Sequence, residues 1–163
     1  MIADPIETRA DTDRGEAMAR LREALRGDVL APGDEEYEAA RLIYNGMIDK
    51  RPALIARCLG AGDVVASVRV ARDYGLTVAV RGGGHNVAGL ATCDDGMMID
   101  LSRMHDVRVD PVRRTLRCGP GTLWSDFDRE AAAFGLGTTG GMVSHTGVAG
   151  LTLGGGFGWL GRS

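Results

Sequence analysis

The sequence predicts an α+β fold that contains α/β elements, and three observations support this prediction. The chain has 163 residues, of which 44% are hydrophobic and 25% charged, and this suits one globular domain with a buried core. Residues 53–80 show the pattern strand, helix, strand, which predicts a βαβ unit with parallel strands. Residues 107–118 show two short strand patterns around a turn, which predicts a β-hairpin.

The N-terminal segment, residues 1–43, is predicted to be helical and to precede the main domain at 44–163. Within residues 16–26, apolar side chains recur at helical spacing on one face: Ala17, Met18, Leu21, Ala24 and Leu25. Gly27 and Asp28 are expected to end this helix. Asp34 can cap a short second helix, because three acidic residues follow it near the positive helix end. We expect these features to be scaffold.

The βαβ unit follows Pro52. Residues 53–58 predict a short buried strand, and residues 76–80 predict a second strand from a β-branched run. Between them, Asp63 is expected to cap a helix that ends at Tyr74-Gly75. Its inner face is predicted to contain Val64, Val65, Val68 and Ala71. Ligands usually bind at the carboxyl ends of the strands in open α/β sheets, so residues after position 80 are site candidates.

The remaining elements follow in order. Residues 97–101 predict another strand, and Asp110-Pro111 predicts the turn of the hairpin formed by 107–109 and 115–118. Thr122 is expected to cap a helix over 123–134, which ends at Gly135. No further helix is predicted after that point.

Composition excludes several classes of protein. The net charge is −3, which argues against nucleic-acid binding, and no apolar run approaches the length of a membrane span. The cysteines lack the spacing of a disulfide framework or a zinc site, which favours reduced thiols and a cytoplasmic protein: Cys58, Cys93 and Cys118. The histidines also lack metal-ligand spacing, so no metal is predicted: His85, His105 and His145.

Glycine is over-represented, with 25 residues, of which eleven lie between Gly135 and Gly161. The residues between these glycines are mostly apolar, which predicts a buried main chain in close contact with another group. Residues 135–140 spell G-x-G-x-x-G, but they follow a helix, and no carboxylate occurs after Glu130. A nicotinamide Rossmann site is therefore disfavoured. A phosphate-binding P-loop is excluded because the only lysine, Lys50, lies far from these glycines.

Residues 82–87, GGGHNV, follow the second strand of the βαβ unit. Successive main-chain N–H groups without side chains can form an anion-binding concavity, so this stretch predicts a diphosphate cradle. His85 within it could be a general base, a structural hydrogen-bonding group or a nucleophile toward a cofactor, and the structural role is the usual one for a lone histidine. Residues 146–162 resemble a second cradle, suited to a planar ring. Two cradles together point to a flavin dinucleotide.

Ordered segments of this chain resemble the FAD-binding (PCMH-type) domain of the p-cresol methylhydroxylase/vanillyl-alcohol oxidase superfamily. The chain is most similar to the berberine-bridge-enzyme-like FAD-linked oxidases. The resemblance runs from about Tyr44 to Arg162. It is carried by YNGMIDKRPALIARC at 44–58, VRGGGHNVAG at 80–89, MIDLSRM at 98–104, GPGTLW at 119–124 and GVAGLTLGGGFGWLGR at 147–162.

The resemblance implies that FAD binds between two α/β subdomains and is joined through its 8α-methyl group to His85. Main-chain amides of Gly82, Gly83, Gly84, Asn86 and Val87 would hold the diphosphate, within a binding stretch bounded by Arg81 and Gly89. The rest of the groove would be lined by Gly121, Thr122, Gly140, Gly141, Thr146, Gly147, Gly150 and Gly156. Such enzymes transfer a hydride from a small organic substrate to FAD and then to oxygen, yielding hydrogen peroxide.

The sequence departs from the family pattern in two respects. Many members have a second tether, a cysteine, where this chain has Val143, so a single bond through His85 is expected. The chain also stops at Ser163, so we expect a complete first subdomain, a truncated second one and no substrate domain. No catalytic base is therefore assigned, and the chain alone is expected to be inactive. The alternative is a non-catalytic FAD-binding remnant or a partner module.

Overall fold

The computed structural model describes residues 5–161, and side chains from residue 12 onward. Five helices and six strands are present in this part of the chain. In order, they are α1 (Pro5–Ala24), β1 (Asp28–Leu30), α2 (Tyr37–Arg41), β2 (Leu54–Arg57), α3 (Ala61–Asp73), β3 (Val78–Arg81), β4 (Met97–Asp100), β5 (Val107–Asp110), β6 (Thr115–Cys118), α4 (Trp124–Ala132) and α5 (Val148–Leu153).

The main sheet has four strands in the order β1-β2-β4-β3. β2 and β3 are parallel, as predicted, but each pairs with β4, which lies between them. β4 is central because all four of its residues are buried, whereas β3 has exposed positions and lies at the sheet edge. β1 was not predicted; it is a three-residue strand that pairs antiparallel with β2. The α+β assignment is confirmed.

The two faces of the sheet are covered by different elements. Side chains alternate between faces along a strand, so Leu54 and Ala56 of β2 pack into one cluster with α1 and α3, while Ile55 points to the other face. There Ile55 joins Tyr37 of α2 and Met98 of β4. The Tyr37 hydroxyl donates a 2.7 Å hydrogen bond to the Pro52 carbonyl, which satisfies its buried polar atom.

The predicted helix caps are corrected by the structure. α3 begins at Ala61, so Asp63 lies in its first turn, where its carboxylate accepts main-chain N–H groups of Leu59, Arg26 and Gly27 at 2.8, 3.0 and 3.3 Å. Asp63 therefore connects the loop before α3 with the segment that follows α1. Asp34 likewise accepts the N–H of Ala31 at 2.8 Å, and α2 starts only at Tyr37.

Other predictions at helices were partly wrong. Val65 and Val68, expected on the inner face of α3, are 48% and 51% exposed. Ala71 is buried as predicted, and the other buried residues of α3 are Asp63, Ser67 and Val70. Thr122 does not cap α4, because Leu123 occupies the N-cap and Thr122 is fully buried. α1 starts at Pro5, earlier than predicted.

A second unit follows the main sheet. β5 and β6 form the predicted antiparallel hairpin, and α4 and α5 pack near it. Trp124 and Phe127 of α4 meet edge to face, with ring centroids 5.3 Å apart, and Val148 of α5 joins their cluster. α5 was not predicted, because a helix of six residues provides too little periodicity to detect. Over residues 5–161, no helix combines the length and apolar character that crossing a membrane requires.

Candidate functional site

The glycine loop, residues 82–85, leaves the carboxyl end of β3 and joins the main sheet to the second unit. A Cβ on Gly82 would lie 2.8 Å from the Pro120 carbonyl oxygen, and one on Gly83 would lie 2.4 Å from the main-chain nitrogen of Gly147. Both positions therefore require glycine, because backbone from the second unit occupies the space of a side chain. Gly84 has φ of +70°, which also favours glycine.

Main-chain N–H groups of this loop suit an anion. Among the hydrogen bonds of residues 5–161, none is donated by the main-chain N–H groups of residues 82–87. Residues 82–85 are buried or half-buried, and N–H groups in such places normally have partners, so these four donors suit a ligand or solvent in that space. The geometry supports the diphosphate cradle predicted from the glycines.

Two cavities share the glycine loop as a wall. The first has a volume of about 510 Å³ and lies toward Ile43, Gly121 and His145. The second has a volume of about 420 Å³ and lies toward Thr146, Gly147 and Gly150. Each volume is typical of a small-molecule or cofactor site. The two predicted cradles therefore meet at one place, on either side of residues 82–85.

His85 lies in an aromatic cluster with Tyr44 and His145. Its ring stacks on Tyr44 at a centroid distance of 4.0 Å, and its Nε2 lies 2.9 Å from His145 Nδ1. The centroids of Tyr44 and His145 are 5.1 Å apart, so all three rings are in contact. Burial, and then the charge of His145, lower the pKa of His85, which favours its neutral imidazole.

Sequence reasoning missed Tyr44 and His145 as parts of this site. Residues 85 and 145 are 60 positions apart, so their spacing carries no local signal. The available signal was indirect: Tyr44 begins the first segment of the family resemblance, and His145 follows the position of the second tether by two residues.

Arg81 borders the first cavity but its guanidinium is engaged elsewhere. Its Nε and Nη2 donate to the two carboxylate oxygens of Asp100 at 3.0 and 2.5 Å. Its Nη1 donates to the carbonyl oxygens of Ala40 and Leu42 at 2.6 and 2.9 Å. Arg81 thus fastens the segment before Tyr44 to the end of the sheet.

The other predicted cofactor residues are distributed unevenly. Asn86, Thr146, Gly147 and Gly150 border the second cavity, and Gly121 the first. Gly141, Thr146 and Gly156 border a smaller cavity of about 160 Å³. Four of the predicted residues border none of these cavities. Thr122 and Gly89 are buried, Val87 is exposed, and Gly140 packs against Trp124.

The cysteines lie outside all three cavities. Burial raises the pKa of Cys58 to about 11 and also raises the pKa of Cys93 and of Cys118, so each thiol is kept protonated. Residues 5–161 contain no group of three or more histidine, cysteine or acidic side chains placed to hold a metal ion.

The chain matches a known protein family over the part that contains most of the candidate site. A family described as "FAD binding domain" matches residues 52–163, which include the glycine loop and the second unit. The chain belongs to this FAD binding domain family. The resemblance noted from the sequence is thereby confirmed.

Several relatives of this FAD binding domain are oxidoreductases. The chain is 44% identical over 137 residues to (R)-6-hydroxynicotine oxidase of Paenarthrobacter nicotinovorans, covering 84% of this chain and 30% of that protein. It is 39% identical over 142 residues to an FAD-linked oxidoreductase of Dictyostelium discoideum, covering 86% of this chain and 31% of the relative. The chain therefore spans about a third of the length of these curated relatives.

Solved structures show the same fold. The crystal structure of 6-hydroxy-D-nicotine oxidase from Arthrobacter nicotinovorans superposes with a TM-score of 0.82 at 45% identity, covering 83% of this chain and 30% of that one. A chitooligosaccharide oxidase superposes with a TM-score of 0.82 at 25% identity, covering 90% and 32% of the two chains.

The close backbone contact at Gly83 leads to a stability prediction. Gly83→Ala should lower the free energy of unfolding by about 1–3 kcal/mol, because its Cβ would overlap the Gly147 backbone. Gly150→Ala is the matched control, since its Cβ meets nothing within 4 Å and it lies within α5. That variant should be unchanged or more stable by up to about 1 kcal/mol. Urea unfolding measures both, and equal effects would contradict the proposed contact.

Proposed function

We propose that this chain forms the part of an FAD-linked oxidase that binds the FAD diphosphate and tethers the flavin through His85. The observation that carries the proposal is the glycine loop, where unpaired main-chain N–H groups and a histidine of lowered pKa border the same two cavities. Family membership supports FAD as the ligand.

The main-chain N–H groups of residues 82–86, which border the two cavities, bind the diphosphate oxygens. They are suited to this because the loop is already held in place by the contact of Gly82 with Pro120 and of Gly83 with Gly147. A preorganised set of donors loses little conformational entropy when the anion binds. The second cavity, beside Gly147 and Gly150, offers small residues against which a flat group can lie.

FAD, when bound, accepts a hydride from an organic substrate and passes the electrons to dioxygen. The residues of this chain contribute binding and orientation to that reaction. His85 is suited to a covalent bond because its imidazole is neutral near pH 7, and a neutral imidazole has a nitrogen lone pair. Val143 stands at the position of the second, cysteine tether, so the flavin is attached through His85 alone.

The test is to add FAD in air to flavin-free protein and then to precipitate the protein with acid. A covalent bond is expected to leave yellow flavin in the pellet and to place the added mass on the peptide that contains His85. A colourless pellet, together with an unmodified His85 peptide, would disprove the covalent attachment. Titration with NAD serves as the control for the disfavoured nicotinamide site, and no binding is expected.

A further inference from the structure

The hydrogen bond between His85 and His145 can run in either direction, because the donor is whichever ring nitrogen carries the proton. Two neutral imidazoles that share one hydrogen bond place one proton between them. If His145 Nδ1 donated that proton, His85 Nε2 would be occupied as an acceptor, and His85 Nδ1 would carry the ring proton. His85 would then have no available lone pair. The reverse arrangement, with His85 Nε2–H donating to His145 Nδ1, leaves a lone pair on His85 Nδ1.

The two histidines differ in their exposure to solvent. His85 is half-buried and His145 is exposed, so the pair connects the cavity to solvent. Tyr44 stacks on both rings and limits their rotation. The other ionisable side chains at the first cavity are His105, Asp126 and Arg81, and none of them hydrogen-bonds to His85 among the described residues.

We propose that His145 is the proton acceptor for His85 when the flavin is attached. This inference rests on the proposed function. His145 thereby acts as a positioning residue for the tether: it selects the His85 tautomer with a lone pair on Nδ1 and removes the Nε2 proton as the bond forms. It then releases that proton to solvent through its exposed side.

Attachment replaces one N–H bond and one C–H bond with one N–C bond. His85 Nδ1 forms one N–C bond to the 8α carbon of FAD, one C–H bond of the methyl group breaks and its proton goes to solvent, and the imidazole loses its Nε2 proton to His145. The electron pair released by this oxidation of the methyl carbon passes to the isoalloxazine. Dioxygen then takes two electrons and two protons and leaves as hydrogen peroxide, which restores the oxidised ring.

The experiment measures the rate of acid-stable flavin formation in the flavin-free chain after FAD is added in air. His145→Ala is expected to be slower by about 100-fold, the usual size of a general-base contribution. His145→Gln keeps a hydrogen-bonding group but accepts no proton, and it should be slow as well. Free imidazole should restore much of the rate in His145→Ala. Ser144→Ala, an exposed neighbour on the same loop, is the control and should attach flavin at the wild-type rate.

Two further measurements separate this role from a structural one. The dissociation constant for FAD, measured without oxygen, should change less than about threefold in His145→Ala. Nitrogen NMR of the flavin-free chain should show a proton on His85 Nε2 in the wild type and a mixture of tautomers in the variant. Wild-type rates in both His145 variants, or slow rates that imidazole does not restore, would overturn the inference. A wild-type chain that binds FAD but never attaches it would overturn the covalent function itself.

Discussion

Replacing His85 with alanine should leave no flavin in the acid-precipitated protein, whereas the wild type should retain it. In the proposed attachment His85 is the nucleophile. Burial, and then repulsion from the neighbouring His145, lowers its pKa, which favours the neutral ring. FAD should still bind His85→Ala reversibly, because the main-chain N–H groups of residues 82–86 are unchanged. Absorbance near 450 nm before and after precipitation measures both properties.

A thiol is the main competing attachment point, and the structure argues against it. Cys58, Cys93 and Cys118 lie outside the cavities and have raised pKa values, so little thiolate is available. A variant with Cys118, the least buried thiol, changed to serine should retain acid-stable flavin like the wild type. Acid-stable flavin in His85→Ala would instead show that another side chain carries the bond.

The second large effect is expected at Arg81, where alanine should lower the free energy of unfolding by about 3–5 kcal/mol. Asp100 is only 1% exposed, and Arg81 contacts both of its carboxylate oxygens. Removal of the guanidinium leaves a buried carboxylate without its cation. It also releases the carbonyl groups of Ala40 and Leu42, which Arg81 binds. Urea unfolding at neutral pH measures the change.

Arg129 provides the matched control. Its side chain is 72% exposed and forms an ion pair with Asp126 at 3.5 Å, so Arg129→Ala should cost less than about 1 kcal/mol. The double variant Arg81→Met/Asp100→Leu should be more stable than Arg81→Ala, since it removes both charges together. Equal stability of Arg81→Ala and Arg129→Ala would show that the buried pair does not hold the sheet end.

Local patterns in the sequence were sufficient for much of the fold. The apolar runs at β2 and β4 and the turn at Asp110-Pro111 predicted strands that the structure contains. Those patterns did not predict the strand order. β4 lies between β2 and β3, where all four of its residues are buried, and packing between distant segments decides this position. The side chains of Asp34 and Asp63 show the same limit, since each bonds main chain outside the helix it was expected to cap.

The candidate cofactor site also has one part that the sequence predicts and another that only the tertiary structure shows. Three glycines before a histidine at a strand end are enough to predict the anion cradle, because its N–H groups are neighbours along the chain. The tether role of His85 was implied only by the family resemblance. The partners of these residues are distant in sequence: Gly147 against Gly83, Asp100 with Arg81, and His145 beside His85. Their contacts arise when the second unit packs on the main sheet, and packing between distant segments has no local pattern that a sequence can display.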